Sequence, residues 1–78
     1  MNKDIERLFK IQNSLNRKKY HLCVQTNLDD EYRWVLFLYN PNIEDYLSHY
    51  NRPILDSSRT TLDELEDYLK KYEGFERW

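Results

Sequence analysis

The side chains best suited to covalent chemistry are a histidine and a cysteine that stand close together, His21 and Cys23. Because side chains alternate between the two faces of a β-strand, this spacing places both on one face. A Cys–His pair can perform thiol catalysis, and His49 would add a third possible metal ligand. An activated thiolate also needs an anion hole, which is often built from glycine-rich turns, and the chain has one glycine. We therefore expect no enzyme activity, no metal site, no cofactor and no phosphate-binding loop.

Carboxylates are the second group that could act chemically. Paired acids work in glycosidases, but one of them must be desolvated in a cleft, and 78 residues leave little room for one. We expect the acids of the last helix to form its solvated face, with Glu66–Lys70 and Asp67–Lys71 as i,i+4 pairs. The alternative is an acidic surface that docks a partner, formed by Asp29, Asp30, Glu31, Asp63, Glu66 and Asp67.

Aromatic residues are in surplus, with seven Tyr, three Phe and two Trp. Tyr and Trp are frequent at protein interfaces because they combine a large apolar area with a polar tip. We assign Tyr20, Tyr32 and Tyr68 to the core. The aromatic candidates for partner binding are Tyr39, Tyr46, His49 and Tyr50, and for the last three a role in the core is the open alternative.

Length and composition bound the class of protein. The chain is expected to form one domain over 1–78, with no membrane span, because no apolar run approaches the required length. A single cysteine cannot form an internal disulfide, which favours the cytoplasm. The net charge is −2, with the basic residues concentrated in 1–20. The absence of alanine and the abundance of Asn, Lys and Tyr are typical of AT-rich genomes and suggest a phage or mobile element.

Hydrophobic periodicity predicts the elements that position these residues. Apolar residues at three- and four-residue steps (Ile5, Leu8, Phe9, Ile11 and Leu15) predict a helix over 3–16. Two-residue alternation predicts a strand over 20–26, and a β-branched and aromatic run predicts a second over 32–39. The second strand is apolar on both faces, so its outer face must meet either the rest of the chain or another molecule.

The end of the chain has signals for a second helix. Thr61 and Glu64 have the spacing of a capping box, and Leu62, Leu65, Leu69 and Tyr72 would form its apolar face. We expect Gly74 to adopt a left-handed conformation at the C-cap, with Phe75 folding back on the helix. In this interpretation Gly74→Ala costs about 1 kcal/mol.

Residues 40–58 allow more than one interpretation. Ile43, Tyr46, Leu47 and Tyr50 would share one face of a short helix that ends before Pro53. Pro53 could then begin a brief edge strand over 53–57; otherwise this region is loop. The expected fold is α+β: an N-terminal helix, an antiparallel hairpin with a possible third strand, and a C-terminal helix on one face of the sheet.

With a third strand, the order α-β-β-β-α resembles that of double-stranded RNA-binding domains. The resemblance implies a basic cluster at the start of the last helix. Here that position carries Asp63, Glu64, Glu66 and Asp67, which would repel phosphates. We therefore expect a non-enzymatic interaction module, such as a small inhibitor or accessory factor that binds a larger protein, or a homodimer. Nucleic-acid binding is the alternative.

Overall fold

A computed structural model describes residues 3–27, 31–39 and 53–77. Its elements, in chain order, are α1 (Lys3–Ser14), β1 (Tyr20–Thr26), β2 (Tyr32–Leu38), β3 (Pro53–Asp56) and α2 (Leu62–Lys71). The α+β class and the third strand are thereby confirmed. The short helix predicted over 40–52 and its aromatic residues lie outside the described residues. No helix in the described ranges is both long and apolar enough to cross a membrane.

The three strands form one antiparallel sheet in the order β1-β2-β3. In the hairpin, Leu22 pairs with Leu36 and Cys23 with Val35. On the other side of β2, Leu36 pairs with Leu55, and the register shifts between Leu36 and Phe37. We call the side that carries Leu22 and Leu36 the inner face, and the side that carries Cys23 and Val35 the outer face.

Both helices contribute to a single hydrophobic core on the inner face. The buried residues come from α1 and the turn after it, from α2, and from β1 and β2: Leu8, Ile11, Leu15, Leu62, Leu65, Leu69, Tyr20, Leu22, Trp34 and Leu36. Tyr32 and Tyr68 pack against this cluster, so the assignment of the three tyrosines to the core is confirmed. Phe9 and Tyr72 depart from the predicted apolar faces, since they are 41% and 48% exposed.

The capping box of α2 is formed as predicted. The Thr61 hydroxyl accepts a hydrogen bond from the Glu64 N–H at 3.2 Å, and the Glu64 carboxylate accepts one from the Thr61 N–H at 3.3 Å. These two bonds satisfy backbone donors that have no partner within the helix. The start of α2 is therefore set by residues only three apart in sequence.

Helix α1 ends at Ser14 rather than at residue 16, because backbone groups of residues 14–16 bond to the C-terminal segment instead of continuing the helix. Leu15 forms an isolated bridge with Phe75. The Asn16 N–H donates to the Gly74 carbonyl at 2.6 Å, and the Glu76 N–H donates to the Ser14 carbonyl at 2.8 Å. The C-terminal segment is thus joined to the end of α1 and the turn before β1.

The predicted role of Gly74 was wrong. Its φ is not positive; the left-handed residue is Glu73, with φ 56°. Gly74 is instead buried against α2, where its N–H donates to the Leu69 carbonyl at 2.6 Å. A Cβ at position 74 would lie 2.9 Å from the Leu69 Cα and closer still to the Leu69 side chain. Glycine is needed here for close approach and not for backbone conformation.

Candidate functional site

Half of the predicted partner-binding residues can be placed. Tyr39, Glu31, Asp63, Glu66 and Asp67 lie within the described ranges. The other five candidates fall outside them and stay predictions: Asp29, Asp30, Tyr46, His49 and Tyr50. The placed residues are distributed over the end of β2, the turn before it and helix α2, so the structure brings them to more than one surface.

Two of the predicted docking carboxylates are bound by the first helix. Arg7 Nε donates to Glu66 Oε1 at 2.8 Å, and Arg7 NH2 donates to Asp63 Oδ1 at 2.5 Å. These hydrogen bonds raise the pKa of Arg7 above its usual value, with Glu66 the larger cause. Lys70 also lies 4.0 Å from Glu66, which confirms the first of the two predicted i,i+4 pairs; the second, Asp67–Lys71, is not formed among the described residues. Asp63 and Glu66 therefore join α1 to α2, whereas Asp67 is exposed.

Tyr39 and Glu31 stabilise the two ends of the hairpin. The Tyr39 N–H donates to the Lys19 carbonyl at 2.8 Å, which extends the β1–β2 ladder by one residue. At the other end, the Asn27 N–H donates to the Glu31 carbonyl at 2.9 Å. The Glu31 side chain is exposed, so its charge is available at the turn end of the hairpin.

His21 and Cys23 share the outer face, as their spacing predicted. Both are exposed, and the His21 ring lies 6.3 Å from the ring of Phe37. Partial desolvation, together with the charge of Arg17, lowers the pKa of His21. Within the described residues no three or more His, Cys, Asp or Glu side chains are grouped as a metal site would require.

The outward edge of β1 presents backbone N–H and carbonyl groups that do not bond to β2, and two sets of hydrogen bonds show which ones they are. Gln12 Nε2 donates to the Leu22 carbonyl at 2.8 Å, so this carbonyl points away from β2. Trp34, which pairs with Val24, uses both its N–H and its carbonyl with Ser57, at 3.2 and 2.9 Å. Val24 and Trp34 are therefore a non-hydrogen-bonded pair of the antiparallel ladder. In such a pair both residues direct their backbone N–H and carbonyl groups away from each other, so those of Val24 point outward.

Alternation along the ladder then assigns the remaining groups of the edge. Leu22, Val24 and Thr26 direct their N–H and carbonyl groups outward, since they occupy equivalent positions of the β1–β2 register. The start of the edge is already used, because the Tyr20 N–H donates to the Asn16 carbonyl at 3.0 Å. Across the described part of the chain, the outward groups of Val24 and Thr26 have no hydrogen-bond partner. The open edge is therefore the segment 22–26.

Helix α1 flanks this open edge with an exposed aromatic side chain. Gln12 reaches the Leu22 carbonyl, so its side of the helix faces the edge. Phe9 lies three residues earlier on the same side of the helix and is 41% exposed. A groove of about 210 Å³ continues along the first half of the edge and is lined by Gln12, Leu15, Arg17, Tyr20, His21 and Leu22.

Sequence reasoning missed this edge because it concentrated on side chains. Alternation identified β1 as a strand, but the strand's position in the sheet depends on β3 pairing with β2. Pro53 was the one signal available, since proline is tolerated at an edge and therefore favours β3 as an outer strand. If β3 pairs next to β2, β1 must be the other edge.

Comparison with known proteins identified no relative of this chain. No family model, no curated protein and no solved structure matches it. The geometry of the β1 edge and its flanks is therefore the basis for a functional proposal.

Proposed function

We propose that the protein is a non-enzymatic interaction module that binds an extended segment of another chain along the β1 edge. The observation that carries this proposal is the row of outward backbone groups at Leu22, Val24 and Thr26. A strand added there would extend the sheet from three strands to four. In strand addition the main-chain hydrogen bonds supply affinity, and the side chains that alternate along the strand supply specificity.

The chemical character of the edge supports strand addition. The segment 22–26 contains no charged residue and no proline, and the features by which proteins usually block an edge are absent from it. Each main-chain bond contributes only about 1 kcal/mol net. Additional apolar contact is therefore needed, and the exposed ring of Phe9 lies on the flank that can provide it.

In biological terms we propose a small inhibitor or accessory factor that acts on a larger protein in the cytoplasm. Its free thiol, Cys23, is exposed on the outer face, which suits a reducing compartment. The composition, with no alanine and many Asn, Lys and Tyr residues, is the basis for proposing a phage or mobile-element origin.

The proposal can be tested with a displayed library of random peptides and two variants at one position. Thr26→Pro removes an outward N–H and places a ring on the edge, whereas Thr26→Val keeps the N–H and the β-branched shape. Thr26 is exposed, so thermal unfolding should show both variants folded. Peptides selected on the wild type should bind Thr26→Val and lose at least about tenfold in affinity on Thr26→Pro, as expected when about 1.4 kcal/mol is lost.

Amide hydrogen exchange locates the bound peptide. Binding should slow exchange at Leu22 and Val24, whose N–H groups point outward. Equal affinity for all three proteins, with protection at other amides, would contradict the proposal.

Nucleic-acid binding is the second candidate, favoured by one observation. The described elements follow the order α-β-β-β-α with both helices on the inner face, the order noted for double-stranded RNA-binding domains. The charge at the start of α2 opposes it, because Asp63 and Glu64 lie in its first turn and repel phosphates. A mobility shift of duplex RNA that weakens steeply with salt would favour this candidate over strand addition.

A further inference from the structure

We infer that the chain occupying the β1 edge is a second copy of this protein. This inference rests on the proposed function, since it assigns the occupant of the same edge in the free protein, which a segment of the larger protein would have to displace. Two β1 strands would pair antiparallel about a two-fold axis at Val24, and the two three-stranded sheets would join into one of six strands.

The open edge is self-complementary in this register. Val24 faces the Val24 of the second copy, and the two residues exchange a pair of N–H to carbonyl hydrogen bonds. Leu22 faces the second copy's Thr26 and does the same. The Leu22 carbonyl already accepts from Gln12, but a carbonyl oxygen has two lone pairs and can accept a second bond. An axis at Val24 thus uses every outward group of the segment 22–26.

The charges at the two ends of β1 favour the antiparallel arrangement. The turn before β1 carries the exposed residues Arg17, Lys18 and Lys19, of which Lys19 is paired with Glu73. At the other end of β1 lies the exposed Glu31. Antiparallel pairing brings the basic end of each copy to the acidic end of the other, while the uncharged centre brings no like charges together. Such complementarity fixes orientation and register.

Helix α1 would add an apolar contact to the proposed dimer. Phe9 lies on the side of α1 that faces the edge, and the side chains of Leu22, Val24 and Thr26 all lie on the inner face with it. The second copy would place its own inner-face side chains next to Phe9. A ring that is 41% exposed in one chain would then be covered in the pair.

A charge design at two outer-face positions tests both the occupant and the register. With the axis at Val24, position 23 faces position 25 of the second copy in a non-hydrogen-bonded pair, where side chains lie closest. Gln25→Glu combined with Cys23→Lys therefore creates two opposite-charge pairs. Gln25→Glu combined with Cys23→Glu creates two like-charge pairs. Gln25 faces Arg33 within its own chain, and because Gln25→Glu is common to both variants, this contact cancels.

The measurement is sedimentation equilibrium of the full chain over a wide concentration range. The wild type should dimerise, and the variant with opposite charges should do so at least about tenfold more tightly than the variant with like charges. This factor corresponds to about 1.4 kcal/mol shared between the two cross-strand pairs. Thermal unfolding at dilute concentration checks that both variants fold.

Three results would overturn the inference. The first is a wild type that stays monomeric at millimolar concentration. The second is a dimer of equal strength in the two variants, which would place the contact on another surface. The third is tighter pairing of the like-charge variant, which would exclude the Val24 axis. Selected peptides that bind the wild type but not Thr26→Pro would still support strand addition in each case, so failure of the dimer and failure of the proposed function can be distinguished.

Discussion

The two edges of the sheet are constructed in opposite ways. The β3 edge has only four residues, begins with Pro53 and lies beside a register shift. Each of these features is a known means of preventing an edge from pairing with other chains. The β1 edge has seven residues and no proline, and Gln12 caps one of its carbonyls. Among the described residues, the β3 edge therefore carries features that hinder pairing and the β1 edge does not.

The difference teaches that an open edge in this protein is a local property and not a consequence of small size. In β3 the short length, the initial proline and the register shift all hinder pairing with another chain. Because β1 lacks these three features, we propose that it has a binding role. If the two edges differ in this way, variants beside β1 and variants beside β3 should behave differently.

The largest effect is expected at the strand that both edges share. Trp34 is 1% exposed and is the largest of the fully buried side chains. Trp34→Ala should destabilise the fold by about 3–5 kcal/mol through lost burial and the remaining cavity. Hydrogen exchange should then accelerate at β1 and β3 together, since β2 holds both. Acceleration confined to one edge would show that the two strands are stabilised independently.

Gly74→Ala should separate the two edges. The added Cβ would overlap Leu69, so we expect a loss of roughly 1–3 kcal/mol from overpacking. Because the Gly74 carbonyl holds the Asn16 N–H in the turn before β1, exchange should accelerate there more than at β3. Glu73→Gly is the matched control for the left-handed position, since Glu73 has the positive φ and glycine adopts it without steric cost. A larger loss from this control than from Gly74→Ala would contradict the packing explanation.

A smaller loss of stability is expected when one hydrogen-bonding side chain is removed beside each edge, so that the two variants can be compared. Gln12→Ala frees the Leu22 carbonyl, and Ser57→Ala removes the hydroxyl that accepts from the Trp34 N–H. Each should cost about 1 kcal/mol in the free energy of unfolding. Gln12→Ala should leave strand addition at β1 intact or strengthened, because it exposes one more acceptor, whereas Ser57→Ala should leave it unchanged, because Ser57 lies on the β3 side of β2. Equal weakening of peptide binding by both variants would contradict the distinction between the edges.

The smallest effect is a dependence on pH beside each edge. Lys19 lowers the pKa of Glu73 through an ion pair of 2.9 Å near the start of β1, and Ser58 hydrogen bonds lower the pKa of Asp56 at the end of β3. A lowered pKa in the folded state stabilises the fold above the usual carboxyl pKa, and this contribution disappears as pH falls through the lowered value. Glu73→Gln and Asp56→Asn should therefore each be less stable than the wild type near neutrality and equal to it in strong acid. Thermal unfolding at the two pH values measures both, and a difference that persists in acid would assign the loss to packing.

The sequence alone predicted the features that depend on neighbouring residues. The capping box of α2 joins Thr61 to Glu64, only three residues away, and the alternation of β1 repeats every two residues, so short-range geometry decides both. The acidic residues of the candidate site were also visible in sequence. Their pairing with Arg7 was not, because the residues lie more than fifty positions apart and meet only when α1 packs near α2.

Tertiary structure decided where elements end and which groups stay unpaired. Helix α1 stops at Ser14 because the C-terminal segment binds its last groups, and Gly74 is required because α2 passes close to it. The open β1 edge follows from the sheet order, which places β3 beside β2 and leaves β1 outside. Backbone groups are the same in every residue, so a sequence can specify a strand while only the packed sheet determines which of its hydrogen bonds are left for another chain.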